Sequence, residues 1–148
     1  MRDFQTIKSS ELRVGDLVLL QDGDKFAADF ALLTSSNSGD AFIKTSSLDG
    51  EKNLKKREQP KDLDIHFPTN DLKPDAYRKV AGKIEVELPN KKLDSFKGVL
   101  YIDQKEYFFS ADQLLMKAAD LANTDWVVGV CCYTGEETKI MLNSLKGK

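Results

Sequence analysis

Histidine is nearly missing from this sequence: His66 is the only one in 148 residues. Ser46 and Ser47 therefore have no imidazole near them in sequence, and serine-nucleophile catalysis has no support. Cysteine is almost as scarce. Cys131 and Cys132 are adjacent in an apolar run, and vicinal cysteines rarely bridge each other. A disulfide framework is excluded, and a reducing, cytosolic compartment fits best. No apolar run approaches the ~18 residues that span a bilayer, and no secretory signal is read. Neither sign of charge is in excess. The 22 Lys and Arg against 24 Asp and Glu leave a net charge of -2, which gives no footprint for nucleic acid. Nucleotide-binding loops, internal repeats and low-complexity stretches are also absent.

What remains is an ordinary globular composition, 41% hydrophobic and 31% charged, in a length that suits one domain able to bury roughly 70% of its unfolded surface. The local pattern is mostly β. Residues 11–16 read as a turn into a strand at 17–21, and Asp22-Gly23 is a tight-turn signal. Further strands are expected at 29–34 and 41–46. Residues 83–88 alternate Ile84, Val86 and Leu88 with charged neighbours, the period of a half-buried strand. Residues 99–102 and 107–109 flank a hairpin turn. The uncharged run 126–133 predicts a strand buried on both faces, with Trp126 and the Cys pair in the core. Thr134-Gly135-Glu136-Glu137 has the form of a capping box before a short amphipathic helix carrying Ile140, Met141, Ser144 and Leu145. Between 55 and 79 charges dominate and Pro60, Pro68 and Pro74 interrupt regular structure. That segment reads as an exposed, proline-containing insertion with a short helix near 75–80. The expected fold is a mainly β, distorted β-sandwich or jelly roll with one or two short helices.

Candidate chemistry is concentrated at Thr45-Ser46-Ser47-Leu48-Asp49-Gly50-Glu51-Lys52-Asn53-Leu54-Lys55, a loop between two strand-like stretches. On spacing alone Glu51 is a solvated turn glutamate. Gly50 argues otherwise, because it permits a backbone geometry that lets Glu51 project towards a partner. No nucleophile or metal cluster accompanies it, so it would act on a centre carried elsewhere. Lys52, Lys55, Lys56 and Arg57 form a basic cluster, by default a solvated face and alternatively a contact for anionic headgroups or phosphate. Asp22-Gly23-Asp24 hints at calcium, but the twelfth loop position is Leu33 rather than Glu, and the metal reading is rejected. His66 reads as a surface residue.

Three segments together resemble the actuator domain of P-type ATPases. The first is Leu12-Arg13-Val14-Gly15-Asp16-Leu17-Val18 with Phe26-Ala27-Ala28-Asp29-Phe30-Ala31-Leu32-Leu33, similar to the family's Val-Gly-Asp and Pro-Ala-Asp strands. The second is Asp49-Gly50-Glu51 with Asn53-Leu54-Lys55. The third runs from Asn123-Thr124-Asp125-Trp126 through Tyr133-Thr134-Gly135-Glu136-Glu137-Thr138-Lys139 to Met141-Leu142-Asn143. Asp-Gly-Glu in place of the commoner Thr-Gly-Glu, with this tail, resembles the phospholipid-flipping class. Two departures are Ala27 for the family proline and Lys52 for the threonine after the loop glutamate. A cation within about 4–6 Å would weaken Glu51 as a base, or would stabilise phosphate charge. Sequence leaves both open.

The resemblance implies one actuator domain, residues 1–148, from a larger membrane ATPase, lying on the cytosolic face of a membrane. Glu51 would position and deprotonate the water that hydrolyses an aspartyl phosphate. Gly50 would permit close approach, Asp49 would fix the loop, and Lys52 and Asn53 would support it. The fragment would bind no cofactor or metal itself, ATP and Mg2+ being used by the full-length enzyme, and it would not hydrolyse ATP alone. Implied partners are the phosphorylation and nucleotide-binding domains and the membrane domain of the same chain, a phospholipid substrate and room for an accessory subunit, with no nucleic acid. The alternatives are an actuator domain of a cation-transporting P-type ATPase and a free-standing β interaction module.

Overall fold

A computed structural model describes residues 11–72, 77 and 80–144. The strand organising them is β10, Trp126–Tyr133, whose last seven residues are all buried. It pairs antiparallel with β1, Leu17–Gln21, on one side and β2, Asp29–Ser35, on the other. A two-residue strand, β8 (Leu114–Leu115), extends this sheet beyond β2. Alternation along β2 and β10 sends side chains to two separate cores, which is why neither strand carries a charge in its interior.

Phe30 and Leu32 of β2 and Val127 and Cys131 of β10 point to one core, shared with Ala41, Ile43 and Leu121. These last three belong to a second sheet, ordered β4–β3–β9, from Lys55–Glu58, Asp40–Lys44 and Asp120–Ala122. Ala31, Leu33, Val128, Val130 and Cys132 point the other way, against Leu100, Ile102, Tyr107 and Phe109. Those belong to a third sheet, β5–β6–β7, from Gly82–Val86, Gly98–Ile102 and Lys105–Phe109. The fold is thus the expected mainly β sandwich, its central sheet covered on both faces. Among the described residues no helix is long and apolar enough to cross a membrane.

The strand at 17–21 and the doubly buried strand at 126–133 are where sequence placed them; the hairpin forms too, but Lys105 and Glu106, expected in its turn, already belong to the second strand. The hairpin turns through Asp103 and Gln104, both at positive φ (50° and 66°), the twist a two-residue β-turn requires. Other expectations need correcting. The strand expected to run to 46 stops at Lys44. The strand expected through Leu88 ends at Val86: the Glu87 N–H still donates to the Lys97 carbonyl in the β5–β6 register, but the Glu87 carbonyl accepts from the Tyr133 hydroxyl at 2.6 Å instead of from a strand. The chain is drawn aside there, and Leu88 is left 86% exposed. Trp126 is half-buried against the core rather than enclosed by it.

The segment 55–79 is not simply exposed. Its first four residues are β4, and Leu63, Phe67 and Tyr77 sit in the core at 2% exposure or less. A 3-10 turn, Leu63–Ile65, turns Leu63 inward. Apolar residues between the charges, too few for a periodic signal, anchor it. The helix expected near 75–80 falls mostly on residues outside those described, as does Leu145 of the final helix. His66 is half-buried, edge-on to Tyr107 with ring centroids 5.7 Å apart.

The predicted capping box at Thr134 does not form. Gly135–Glu137 makes a 3-10 turn in which the Thr134 carbonyl, not its side chain, takes the Glu137 N–H. The following helix spans Lys139–Ser144, and its first N–H donates to Asp29 Oδ2 at 2.8 Å. A capping box occurs instead at Ser110–Gln113.

Candidate functional site

The loop after β3 is the hairpin connection to β4, and the ladder pairs Ile43 with Lys55 and Phe42 with Lys56. Its ends are therefore fixed by the sheet. Its first half is not extended: Ser46–Asp49 form one helical turn, α1. Leu48 packs down against both cores, and the Asp49 and Gly50 N–H groups donate to the Thr45 and Ser46 carbonyls. Gly50 ends the turn in the left-handed region, at φ 75° and ψ -1°. A β-carbon there would meet no other atom within 4 Å, so glycine is favoured by backbone conformation rather than by crowding.

Asp49 is the hub. Thr45, fully buried, donates its hydroxyl to both Asp49 oxygens at 3.1 and 3.2 Å. Asp49 Oδ1 also accepts the Glu51 N–H at 2.9 Å, the local turn bond that suits a short carboxylate side chain. Asp49 Oδ2 accepts from Lys55 Nζ at 2.7 Å. Partial desolvation works against the charged Asp49. Hydrogen bonds from Lys55, the Glu51 backbone and Thr45 outweigh it and bring its pKa down to about 2. The same Lys55 Nζ lies 2.9 Å from Glu51 Oε1. Its hydrogen bonds to Asp49 and Glu51 raise the Lys55 pKa against partial desolvation, so the ammonium stays charged at neutral pH.

Glu51 stands at the outer end of this scaffold, with its side chain 58% exposed. Asp49, Gly50 and Glu51 are thus brought together. Lys52 and Asn53, expected as loop support, are exposed, and the bonds shown in the loop run through Thr45, Asp49 and Lys55 instead. The cation beside Glu51 is Lys55 rather than its neighbour in sequence. Sequence reasoning placed Lys55 in a basic cluster and gave Thr45 no role. The i to i+4 spacing of Glu51 and Lys55 gave no signal, because residues 51–54 form no helix on which that spacing makes neighbours.

The basic cluster itself is dispersed. Lys56 pairs with Asp40 at 3.6 Å. Arg57 is 9% exposed and donates Nε–H to the Leu114 carbonyl at 2.8 Å, bridging the second sheet to β8; burial lowers its pKa, with Asp112 opposing. The Asp22–Asp24 turn uses Asp24 Oδ2 to accept the Gln21 N–H at 2.8 Å. Among the described residues no group of three or more His, Cys, Asp or Glu is placed to hold a metal ion. Burial pushes the Cys131 thiol up to about 12, with Asp16 and Asp29 adding to the shift, and pushes Cys132 higher still. Neither is a nucleophile at neutral pH.

Comparison with known proteins points the same way. The family model described as the P-type ATPase actuator domain matches residues 2–101. The chain is 39% identical over 145 residues to "Probable phospholipid-transporting ATPase 7" of Arabidopsis thaliana, covering 97% of this chain and 11% of that protein. It is 32% identical over 143 residues to "Phospholipid-transporting ATPase DRS2" of Saccharomyces cerevisiae, covering 96% and 10%. It is 34% identical over 141 residues to "Phospholipid-transporting ATPase FetA" of Mus musculus, covering 95% and 12%. The chain spans about a tenth of the length of the curated relatives it matches.

Proposed function

The chain belongs to the P-type ATPase actuator-domain family, and from that premise we propose that it is the cytosolic actuator domain of an ATP-driven phospholipid flippase, with Glu51 promoting hydrolysis of an aspartyl phosphate carried by another domain. Support for the lipid class comes from the names of the relatives, each described as phospholipid-transporting. One observation carries the chemical assignment. Glu51 is an outward carboxylate on a left-handed glycine turn, its N–H bonded to Asp49 and its Oε1 to Lys55.

In the proposed step a water oxygen forms a bond to phosphorus while the acyl-phosphate P–O bond breaks. The aspartate leaves as a carboxylate, and the water's proton passes to Glu51. Oε1 is engaged by Lys55, so Oε2 is the oxygen free to meet the water. General-base catalysis of this kind contributes about 10²–10⁴-fold. The chain supplies the base and its placement. The acyl phosphate, ATP with Mg2+ and the lipid path belong to other parts of the full-length protein, including the membrane domain, with which the actuator domain couples hydrolysis to lipid movement. Lys52 and Asn53 flank the docking surface of the loop.

Glu51→Gln in the full-length protein tests this. The phosphoenzyme is expected to form normally and to decay about 10²–10⁴-fold more slowly, followed by labelling with radioactive ATP and a cold chase. Decay at the parent rate would remove Glu51 from the chemistry.

A further inference from the structure

A carboxylate that is 58% exposed on a surface turn has every reason to wander among rotamers. Glu51 is instead held at both ends. Its backbone N–H is fixed by Asp49, and its carboxylate is met by Lys55 Nζ at 2.9 Å. Lys55 is itself well placed to hold something still. It is the first residue of β4, in register with the buried Ile43, and its amino group is drawn 2.7 Å from Asp49 Oδ2. Asp49 is in turn bonded by the buried Thr45. The chain of contacts thus runs from the core, through Thr45 and Asp49, to one ammonium that meets both carboxylates.

We propose that Lys55 is the positioning residue for the hydrolytic step assigned to Glu51: by holding Oε1 it leaves Oε2 aimed outward. The inference rests on the Glu51 reading above. Placement is the quantity at stake, because a displacement of about 1 Å can cost about 100-fold in rate. Charge adds a second reason for a lysine here. An anionic phosphoryl group repels an approaching pair of carboxylates, and an ammonium between them offsets part of that repulsion where negative charge accumulates. An exposed ion pair stabilises a fold very little, so the contact with Glu51 is better explained by geometry than by stability.

The test compares Lys55→Met, Lys55→Arg, Glu51→Gln and the Lys55→Met/Glu51→Gln pair in the full-length protein, with phosphoenzyme formation and decay measured separately. Lys55→Met is expected to form phosphoenzyme to the parent level and to slow its decay by about 10–100-fold. Lys55→Arg, which keeps the charge and the donors, is expected to restore most of the rate. The double variant is expected to decay no slower than Glu51→Gln alone, because Lys55 acts only through Glu51. Parent-like decay of Lys55→Met beside a trapped Glu51→Gln overturns the inference and leaves the Glu51 reading standing. Parent-like decay of both overturns the Glu51 reading and the inference with it. Formation and decay lost together in Lys55→Met, without rescue by arginine, would mean that Lys55 serves the fold, which also overturns it.

Discussion

Asp29 begins β2 with no exposure, whereas Asp49 ends α1 at the surface. Each takes hydrogen bonds from the backbone, yet their surroundings drive them in opposite directions. Asp29 accepts the N–H groups of Lys117 and Lys139, each at 2.8 Å, from segments 88 and 110 residues away. Desolvation raises its pKa despite those two bonds and the lysine charges. Asp49 accepts from residues within six positions, keeps contact with water and an ammonium, and sits at about 2. The first joins distant parts of the chain and costs desolvation. The second organises one loop and leaves its charge available. The two carboxylates are told apart by what surrounds them, not by residue type.

Four experiments can break or sharpen that contrast. The largest effect is expected from Glu51→Gln at the loop: phosphoenzyme decay slower by about 10²–10⁴-fold, with thermal stability within about 0.5 kcal/mol of the parent. A large stability loss there would make the loop structural and erase the distinction. Asp29→Asn should do the reverse. The amide can accept one of the two N–H groups but turns its own NH2 on the other, so unfolding by denaturant should show a loss of about 3 kcal/mol.

Gly50→Ala comes next. The space is open and only the positive φ is strained, so the expected cost is about 1 kcal/mol. A much larger loss would mean that the turn, and not only the side chains on it, is under load.

The smallest and most diagnostic effect is in acid. Asp49 has a depressed folded pKa, so its contribution is present above the unfolded value of 3.8 and is lost as pH falls through about 2. Asp29 has a raised folded pKa, so its ionisation favours the unfolded chain as pH rises above 3.8. Stability measured between those pH values should therefore fall less steeply in Asp49→Asn than in the parent. An unchanged slope would show that Asp49 is not held as its hydrogen bonds imply.

The loop was legible in sequence because glycine before glutamate, straight after a strand-like stretch, is a local turn signal. The identity of its inner partners was not. Lys55 stood among three other basic residues, and only the β3–β4 ladder returns its amino group to Asp49 and Glu51. β4 itself reads as Lys-Lys-Arg-Glu, with no apolar pattern to reveal a strand. It is held by backbone pairing and by Arg57 reaching the Leu114 carbonyl. The final helix is legible in its apolar spacing, but its first N–H is taken by Asp29 of β2 and not by Thr134.

What the sequence determined by itself is what short-range physics can carry. The uncharged run of β10, the presence of a hairpin after residue 102 and the glycine that ends the turn before Glu51 all express preferences of neighbouring residues. Tertiary structure alone decided which polar groups meet. Asp29 with Lys139, Arg57 with Leu114 and Lys55 with the loop carboxylates depend on sheet register and layer packing. A hydrogen bond is satisfied by whatever donor the fold brings within about 3 Å, whatever the distance along the chain.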